Sequence, residues 1–235
     1  MADPILVTAV PAECPPRLAP QVEVQRIELD EQCWVDLARG WLQGASALFE
    51  MLTAQVPWSQ GRVFRYERYL DEPRLGAWYP AGAPPHAVLD EARDWLQHRY
   101  RVRFDGCALA WYRDGGDGVA FHRDREMRWL DETIIAVLTL GARRPFLLRP
   151  RTERWGQHAP GGGATHDLAP GAGDLIVMGG RCQVAWEHSV PRVPGLVAGR
   201  VSVQWRWTSR RGARDRGPSY RVPRVFSREG RRPAT

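Results

Sequence analysis

A series of about eight short apolar segments, each bounded by Gly, Pro or Asp, constrains the fold of this chain more than any other feature. They follow one another at nearly even spacing from Cys107 onward and read CALAWYR, GVAFHRD, TIIAVLTLG, RPFLLRP, ATHDLAP, DLIVMGG, CQVAWEHSV and RVSVQWRW. Many short strands separated by turn residues are typical of a β-sandwich or a jelly roll. We therefore predict a mainly β fold in which helices flank a jelly-roll core.

Two stretches before these strands show the spacing of amphipathic helices. Over residues 30–55 the apolar residues predict one helix, or two helices divided at Gly40 and Gly44. A strand over residues 62–70 is predicted next. Over residues 84–102, two prolines at the start and one apolar face predict a second helix.

The composition is that of a globular protein. The chain has 235 residues, of which 43% are hydrophobic and 26% charged, and a chain of this length buries roughly 70% of its unfolded surface. It contains no apolar run of the roughly 20 residues that span a bilayer, and its first residues lack a basic signal-peptide region. The four cysteines are scattered. We expect a soluble, cytoplasmic monomer with reduced thiols and no membrane partner.

Arginine supplies all 33 basic residues, and the formal net charge is +6. The chain has no Lys and no Asn and much Ala, Gly and Pro, which indicates a gene rich in G and C. Part of the arginine excess therefore reflects codon usage. Arginine also binds phosphate through paired hydrogen bonds, so the positive charge favours a polyanionic partner such as nucleic acid.

A candidate metal-binding pair lies in AFHRDRE, residues 120–126. On a strand, His122 and Asp124 point to the same face and can bind one ion. A third ligand has to come from elsewhere, and His188 ends a predicted strand just before Pro191. Two histidines and one carboxylate form the facial triad of non-haem Fe(II) oxygenases, although Zn(II) accepts the same ligands. A solvated polar loop is the alternative interpretation.

Two arginines on the last predicted strand suggest an anion near this pair. Arg200 and Arg206 are six residues apart, an even number, and so share one face of the strand. Two buried guanidinium groups require a bound anion. A dicarboxylate such as 2-oxoglutarate supplies one, because its keto acid chelates iron while its distal carboxylate remains free for arginine. If the strand lies at a sheet edge, both arginines face solvent instead.

Taken together, the block WYRDGGDGVAFHRD…GDLIVMGGRCQVAWEHSVP…RVSVQWR resembles the AlkB family of Fe(II)/2-oxoglutarate-dependent dioxygenases. It is most similar to the members that repair alkylated nucleic acid bases. The resemblance implies a double-stranded β-helix (jelly-roll) core with an N-terminal helical and lid extension. We expect one dioxygenase domain over residues 23–207, with a lid at about 62–83. A loosely ordered segment 1–22 and a basic, poorly ordered tail 208–235 flank this domain.

The resemblance carries over to individual residues. The metal ligands that it implies are His122, Asp124 and His188. The cosubstrate contacts that it implies are Tyr112, Arg200 and Arg206. Two family asparagines near these contacts are replaced by Ala110 and Ser202, which removes amide hydrogen bonds and leaves the charged groups in place.

Substrate contacts are also implied by the resemblance. Trp78 and Tyr79 resemble the lid aromatics that stack on an extruded base, with Arg74 nearby, and Glu126 matches an acidic residue that hydrogen-bonds the base. The alternatives are core aromatics for the first two and a charged loop residue for Glu126. Family members commonly carry a Tyr-rich hairpin after these aromatics, whereas here AGAPPH leads directly into the predicted helix. We therefore expect a shortened lid.

The function that the resemblance implies is direct-reversal DNA repair. The protein is expected to use Fe(II), 2-oxoglutarate and O₂ to remove alkyl groups from bases such as 1-methyladenine and 3-methylcytosine in alkylated DNA, including single-stranded DNA. The alternatives are an oxygenase acting on RNA, protein or a small molecule, and a non-catalytic nucleic-acid-binding module.

Overall fold

In the computed structural model, the protein is described over residues 14–65, 67–124, 127, 130–151, 164–195 and 197–209. The helices within these ranges are α1 (Ala45–Gln55), α2 (Val88–Tyr100) and α3 (Cys182–Ala185). The strands are β1 (Arg17–Leu18), β2 (Gln25–Asp30), β3 (Cys33–Ala38), β4 (Leu42–Gln43), β5 (Ser59–Arg65), β6 (Arg68–Pro80), β7 (Gly106–Tyr112), β8 (Val119–His122), β9 (Thr133–Gly141), β10 (Leu147–Pro150), β11 (His166–Asp167), β12 (Leu175–Gly180), β13 (Trp186–Val190) and β14 (Arg200–Thr208).

Two antiparallel sheets form the layers of the fold. The large sheet has eight strands in the order β2-β3-β12-β9-β14-β7-β6-β5, and the small sheet has four in the order β11-β10-β13-β8. Buried side chains of both sheets, among them Ile135 of β9 and Trp186 of β13, belong to one hydrophobic cluster, so the sheets pack face to face. The predicted mainly β, jelly-roll fold is confirmed.

Side-chain alternation gives the large sheet two different faces. On β9, Ala136 and Leu138 belong to the cluster beneath the helices, whereas Ile135 and Val137 belong to the cluster between the sheets. On β14, the helix-side residues are Val201, Val203 and Trp205. Because successive side chains of a strand point to opposite faces, the inward-facing residues of β14 are Arg200, Ser202, Gln204 and Arg206. The last strand thus lines the interior with polar groups.

Two helices cover the outer face of the large sheet. Leu48 of α1 and Leu89 and Leu96 of α2 are fully buried in the cluster that also holds Leu138. The predicted second helix is therefore confirmed as α2. No helix in the described part of the chain has the length and apolar character to cross a membrane.

The predicted helix over residues 30–55 is wrong in its first half. Cys33–Ala38 is β3, which pairs with both β2 and β12, and only Ala45–Gln55 is helical. Because β3 lies inside the large sheet, apolar side chains occupy both of its faces, and such a run also satisfies helical spacing. Gly44 has a φ of 66°, a left-handed conformation that lets the chain turn into α1.

Most of the predicted strands are confirmed, some of them with different bounds, and the two segments that carry His122 and His188 differ more. The segment CQVAWEHSV begins as the one-turn helix α3 and becomes β13 only at Trp186. The segment GVAFHRD ends as a strand at His122, so Asp124 lies in the loop after β8. The strand alternation invoked for His122 and Asp124 therefore does not apply.

The predicted lid is built on a hairpin of the large sheet. β5 and β6 pair with each other, and β6 also pairs with β7, which joins the hairpin to the sheet. At the N-terminal side, Arg17–Leu18 forms β1 and pairs with β4. Residues 1–13 of the predicted N-terminal segment and residues 210–235 of the predicted tail lie outside the described ranges.

Candidate metal and cosubstrate site

Three potential metal ligands meet between the two sheets. His122 is the last residue of β8 and lies opposite His188 of β13 in the antiparallel register. Asp124 follows two residues after the end of β8. One potential ligand atom from each of the three side chains lies within 4.8 Å of the other two. The structure therefore assembles the predicted facial triad from one strand pair and one loop.

Hydrogen bonding orients one of the two imidazole rings, that of His122. Nδ1 of His122 lies 2.9 Å from the carbonyl oxygen of Ala120, which leaves Nε2 directed at Asp124, with 3.8 Å between Nε2 and Oδ1. His188 is buried, and its Nδ1 has no hydrogen-bond partner among the described residues. A buried polar atom without a partner is unfavourable, so this ring fits a site that a bound ion completes.

The electrostatic environment keeps the candidate ligands in the protonation states that bind a cation. Burial, reinforced by the neighbouring His122, lowers the pKa of His188 to about 3, so its imidazole is neutral at pH 7. Burial raises the pKa of Asp124, but the combined effect of Arg206, His188 and His122 outweighs burial and holds that pKa below its ordinary value. Neutral imidazole and ionised carboxylate are the forms that bind metal.

Aromatic packing holds the histidine rings in place. The ring of buried Phe146 stacks on His188 with 5.9 Å between centroids and an interplanar angle of 11°. The rings of His122 and His188 lie 4.2 Å apart. Contacts on both sides of His188 restrict its rotamer, and a restricted ligand loses less entropy when it binds an ion.

Arg200 lies fully buried with unused hydrogen-bonding capacity. Its Nη2 donates to Oγ1 of Thr139 at 3.2 Å, whereas Nε and Nη1 have no partner within the described ranges, and neither has the hydroxyl of Ser202. Burial lowers the pKa of Arg200 to about 10, so the group still carries its charge at pH 7. A buried charge with free donors is costly unless an anion pairs with it. The pocket therefore fits the distal carboxylate of 2-oxoglutarate.

Arg206 is placed differently from Arg200. Its Nε donates to Oδ2 of Asp124 at 2.7 Å, and Nη2 also contacts Gln204. The two arginines are about 20 Å apart along the strand, so they reach the site from opposite ends. Arg206 supports the carboxylate ligand, and its direct contact with 2-oxoglutarate remains a prediction.

Tyr112 and Arg74 join the Arg200 end of the site. Tyr112 is buried and lies opposite Arg200 in the register of β7 and β14. Arg74 donates from Nη1 to the Tyr112 hydroxyl at 3.3 Å. Arg74 was predicted from the resemblance to contact substrate, whereas in the structure it contacts a predicted cosubstrate residue.

The two predicted lid aromatics lie on opposite faces of β6. Trp78 is 38% exposed, and a Cβ on Gly106 would meet its indole at 3.1 Å, so the ring covers that glycine. Tyr79 packs against the helix-side cluster. Tyr79 therefore lies on the other side of β6 from Trp78, because adjacent strand residues point to opposite faces, and its contact with substrate stays a prediction. Glu126 lies outside the described residues.

Several residues near the site were not identified from the sequence. They are Thr139, Arg144, Phe146 and Gln183. The sequence RRPF contains Arg144 and Phe146. In a chain this rich in arginine, the sequence does not distinguish the buried Arg144 from the other arginines. Arg144 is 1% exposed and donates to the backbone carbonyls of Asp114, Asp117 and Pro191, so it anchors the loops at one end of β8 and β13.

The family model described as the 2OG-Fe(II) oxygenase superfamily matches residues 43–206, a range that contains all three candidate ligands and both arginines. The chain belongs to the 2OG-Fe(II) oxygenase superfamily. Membership decides between the metals that the ligand set alone allows, because this superfamily uses Fe(II) with 2-oxoglutarate. His122, Asp124 and His188 of this oxygenase are the residues that would hold Fe(II), and the contact of Arg200 with the 2-oxoglutarate carboxylate stays a prediction.

Curated relatives place this oxygenase near the AlkB homologues. It is 29% identical over 181 residues to alpha-ketoglutarate-dependent dioxygenase alkB homolog 3 of Mus musculus, covering 70% of this chain and 62% of the relative. It is 27% identical over 178 residues to DNA oxidative demethylase ALKBH2 of Homo sapiens, covering 69% and 68%. The chain spans about three fifths of the length of the alkB homolog 3 relatives that it matches.

A solved structure supports the fold. A prolyl hydroxylase in complex with a hypoxia inducible factor peptide fragment, from Trichoplax adhaerens, superposes with a TM-score of 0.55 at 14% identity, covering 74% of this chain and 82% of that one. At this identity the likeness concerns the arrangement of sheets and helices alone.

Replacing His188 with Ala should abolish metal binding by this oxygenase. The substitution removes one of three ligands, and the remaining pair holds a divalent ion far more weakly. Titration of the metal-free protein with Mn(II), followed by electron paramagnetic resonance, measures the loss. His166→Ala, a histidine of β11 outside the triad, serves as the control and should bind normally. Equal Mn(II) affinity in both variants would disprove the ligand assignment.

Replacing Arg200 with Gln should weaken 2-oxoglutarate binding and leave metal binding intact. The variant retains hydrogen-bond donors but loses the charge, and a charge-assisted contact contributes about 1.5–3 kcal/mol, so we expect Kd to rise about 10- to 150-fold. Calorimetric titration of the Mn(II)-loaded protein with 2-oxoglutarate measures this change in Kd. An unchanged Kd would place the carboxylate elsewhere.

Proposed function

We propose that this protein is an Fe(II)/2-oxoglutarate-dependent dioxygenase that removes N-alkyl groups from nucleic acid bases, acting on DNA as a direct-reversal repair enzyme. The observation that carries this proposal is the meeting of His122, Asp124 and His188 within 4.8 Å on the interior onto which buried Arg200 also faces. A metal ligand set that shares an interior with a buried guanidinium, for which the described residues provide no carboxylate partner, fits a metal-chelating dicarboxylate. The expected cytoplasmic location and monomeric state are kept as predictions.

Each residue of the site has a defined task in this reaction. When bound, Fe(II) and 2-oxoglutarate supply an oxidation by O₂ that hydroxylates the N-alkyl carbon, releases it as an aldehyde, and converts 2-oxoglutarate to succinate and carbon dioxide. His122 and His188 offer neutral nitrogen ligands, and Asp124 offers a negative oxygen. Arg206 holds the second oxygen of Asp124, which restricts how that carboxylate can turn.

The Arg200 end of the site orients the cosubstrate. The guanidinium directs two unused donors into the interior, Ser202 adds a hydroxyl without a partner among the described residues, and the Tyr112 side chain is buried beside them. Together they form a polar end of the interior whose guanidinium has no carboxylate partner among the described residues, whereas Arg206 at the other end is paired with Asp124, so a free carboxylate is favoured beside Arg200. This fixes which end of 2-oxoglutarate faces the metal.

The substrate class is supported by the relatives and by an exposed ring. The relatives include proteins described as DNA oxidative demethylases. A base stacked in a duplex cannot reach a metal site between two sheets, so the target base has to leave the stack or belong to a single strand. Trp78 is one of the two large apolar side chains exposed on the described surface. It lies toward the Arg206 end of the large sheet, where a base could stack on it.

Demethylation of an alkylated oligonucleotide tests this proposal directly. With Fe(II), ascorbate and 2-oxoglutarate, the protein should convert 1-methyladenine or 3-methylcytosine in single-stranded DNA to the unmodified base, read as the loss of one methylene mass. Succinate should form in equal amount, and His188→Ala should form neither product. Hydroxylation of a small molecule, peptide or RNA with no activity on alkylated DNA would replace the proposed substrate while retaining the chemistry.

Replacing Trp78 with Ala should reduce activity on alkylated oligonucleotides by about 5- to 150-fold in kcat/KM, because base–aromatic stacking contributes about 1–3 kcal/mol per base. Trp78→Phe retains an aromatic face and should recover part of the loss. The Kd of 2-oxoglutarate should stay unchanged in both variants, which separates substrate stacking from damage to the pocket. Equal kcat/KM for Ala, Phe and wild type would exclude Trp78 from substrate binding.

A further inference from the structure

The one-turn helix α3 lies directly before the strand that carries His188, and each of its residues bonds to another part of the chain. In order, Cys182, Gln183, Val184 and Ala185 contact Trp34 of β3, Asp124, Arg123 and Arg151. Two of these four contacts therefore reach the loop that carries the Asp124 ligand. A helix this short gains little from its own hydrogen bonds, so these tertiary contacts hold it in place.

Gln183 makes the contact closest to a candidate ligand. Its Oε1 accepts a hydrogen bond from the backbone N–H of Asp124 at 2.8 Å, and the Gln183 side chain is 1% exposed. Asp124 lies beyond the end of β8, where the ladder between β8 and β13 offers its N–H no partner. Within a dry environment such a bond is stronger than at the surface, and its loss leaves a buried donor unsatisfied.

The two bonds to Asp124 come from two different elements, α3 and β14. Arg206 of β14 holds its carboxylate at 2.7 Å, and Gln183 holds its backbone. Gln183 is also only five residues before His188 along the chain. The side chain of Gln183 therefore connects the ligand in the loop to the segment that carries the ligand in β13, whereas the two histidines are already held by strand pairing.

We propose that Gln183 is a positioning residue of the metal site, which holds Asp124 at the distance from His122 and His188 that a metal ion requires. Metal affinity then depends on this amide although it does not touch the ion. The inference rests on the metal site of the proposed function and is independent of its substrate. Hydrogen bonds that orient ligands contribute about 10- to 100-fold to metal affinity.

Titration of the metal-free, full-length protein with Co(II) tests this role without nucleic acid or turnover. Gln183→Met keeps the length of the side chain but removes the acceptor, so we expect Kd for Co(II) to rise about 10- to 100-fold and the visible absorption band of the bound ion to shift. Gln183→Glu keeps an oxygen at the same position and should recover a large part of the affinity. For each variant, the Kd for Co(II), the absorption band of the bound ion and the thermal unfolding of the metal-free protein are measured.

Cys182→Ala is the matched control. Cys182 is as buried as Gln183 and is the preceding residue of α3, but its hydrogen bond goes to Trp34 and none goes to the described residues of the Asp124 loop. We expect this variant to unfold at a lower temperature and to bind Co(II) like the wild type. If Gln183→Met does not fold, Gln183→Asn, which withdraws the oxygen by one methylene, replaces it with the same expected loss.

Two results would overturn the proposal. Wild-type Co(II) affinity in Gln183→Met would show that Asp124 is held without this bond. An equal loss in Cys182→Ala would show that any disturbance of α3 weakens the site. Failure of the wild-type protein to bind Co(II) would instead refute the metal site itself, and with it the proposed function.

Discussion

The antiparallel pairing of β8 with β13 is the interaction on which the candidate site depends. It sets His122 opposite His188, and opposed residues in an antiparallel pair have Cβ atoms only about 4.5–5.5 Å apart. Two imidazoles at this distance can share one ion without any special loop. The small sheet that contains this pair packs against the polar inner face of β14, and Arg206 and Asp124 meet across that gap at 2.7 Å. The geometry of the site therefore follows from sheet packing.

A buried charge without a carboxylate partner among the described residues is the second constraint. Arg200 is 0% exposed, and Arg144 beside the same Tyr112 ring is 1% exposed. Arg144 donates to three backbone carbonyls, which explains its burial, whereas Arg200 has two unused nitrogens. Such a group lowers stability unless a ligand pairs with it. The Arg200 guanidinium makes this pocket suitable for binding an anion. This is consistent with membership in a superfamily that binds 2-oxoglutarate.

Two replacements distinguish this pocket from the family pattern. Ala110 and Ser202 stand where the family resemblance implies asparagines, and both lie on the inner face, directly opposite each other in the register of β7 and β14. Their short side chains leave the Ser202 hydroxyl without a partner within the described ranges. The pocket consequently relies more on the charge of Arg200 than on amide hydrogen bonds. The contacts that Gln183 and Arg206 make with Asp124 add rigidity at the metal end.

The sequence by itself determined the mainly β class, the second helix and the shared face of Arg200 and Arg206, because strand alternation and turn residues are local properties. It also indicated the three candidate ligands through their residue types and their order along the chain, although strand alternation does not apply to Asp124. It failed for residues 30–44, where pairing on both sides of β3 imitates a helical pattern. Only the tertiary structure decided that Arg206 holds Asp124 and that Gln183 reaches the same residue. These contacts join residues 82 and 59 positions apart, and no local pattern encodes such a distance.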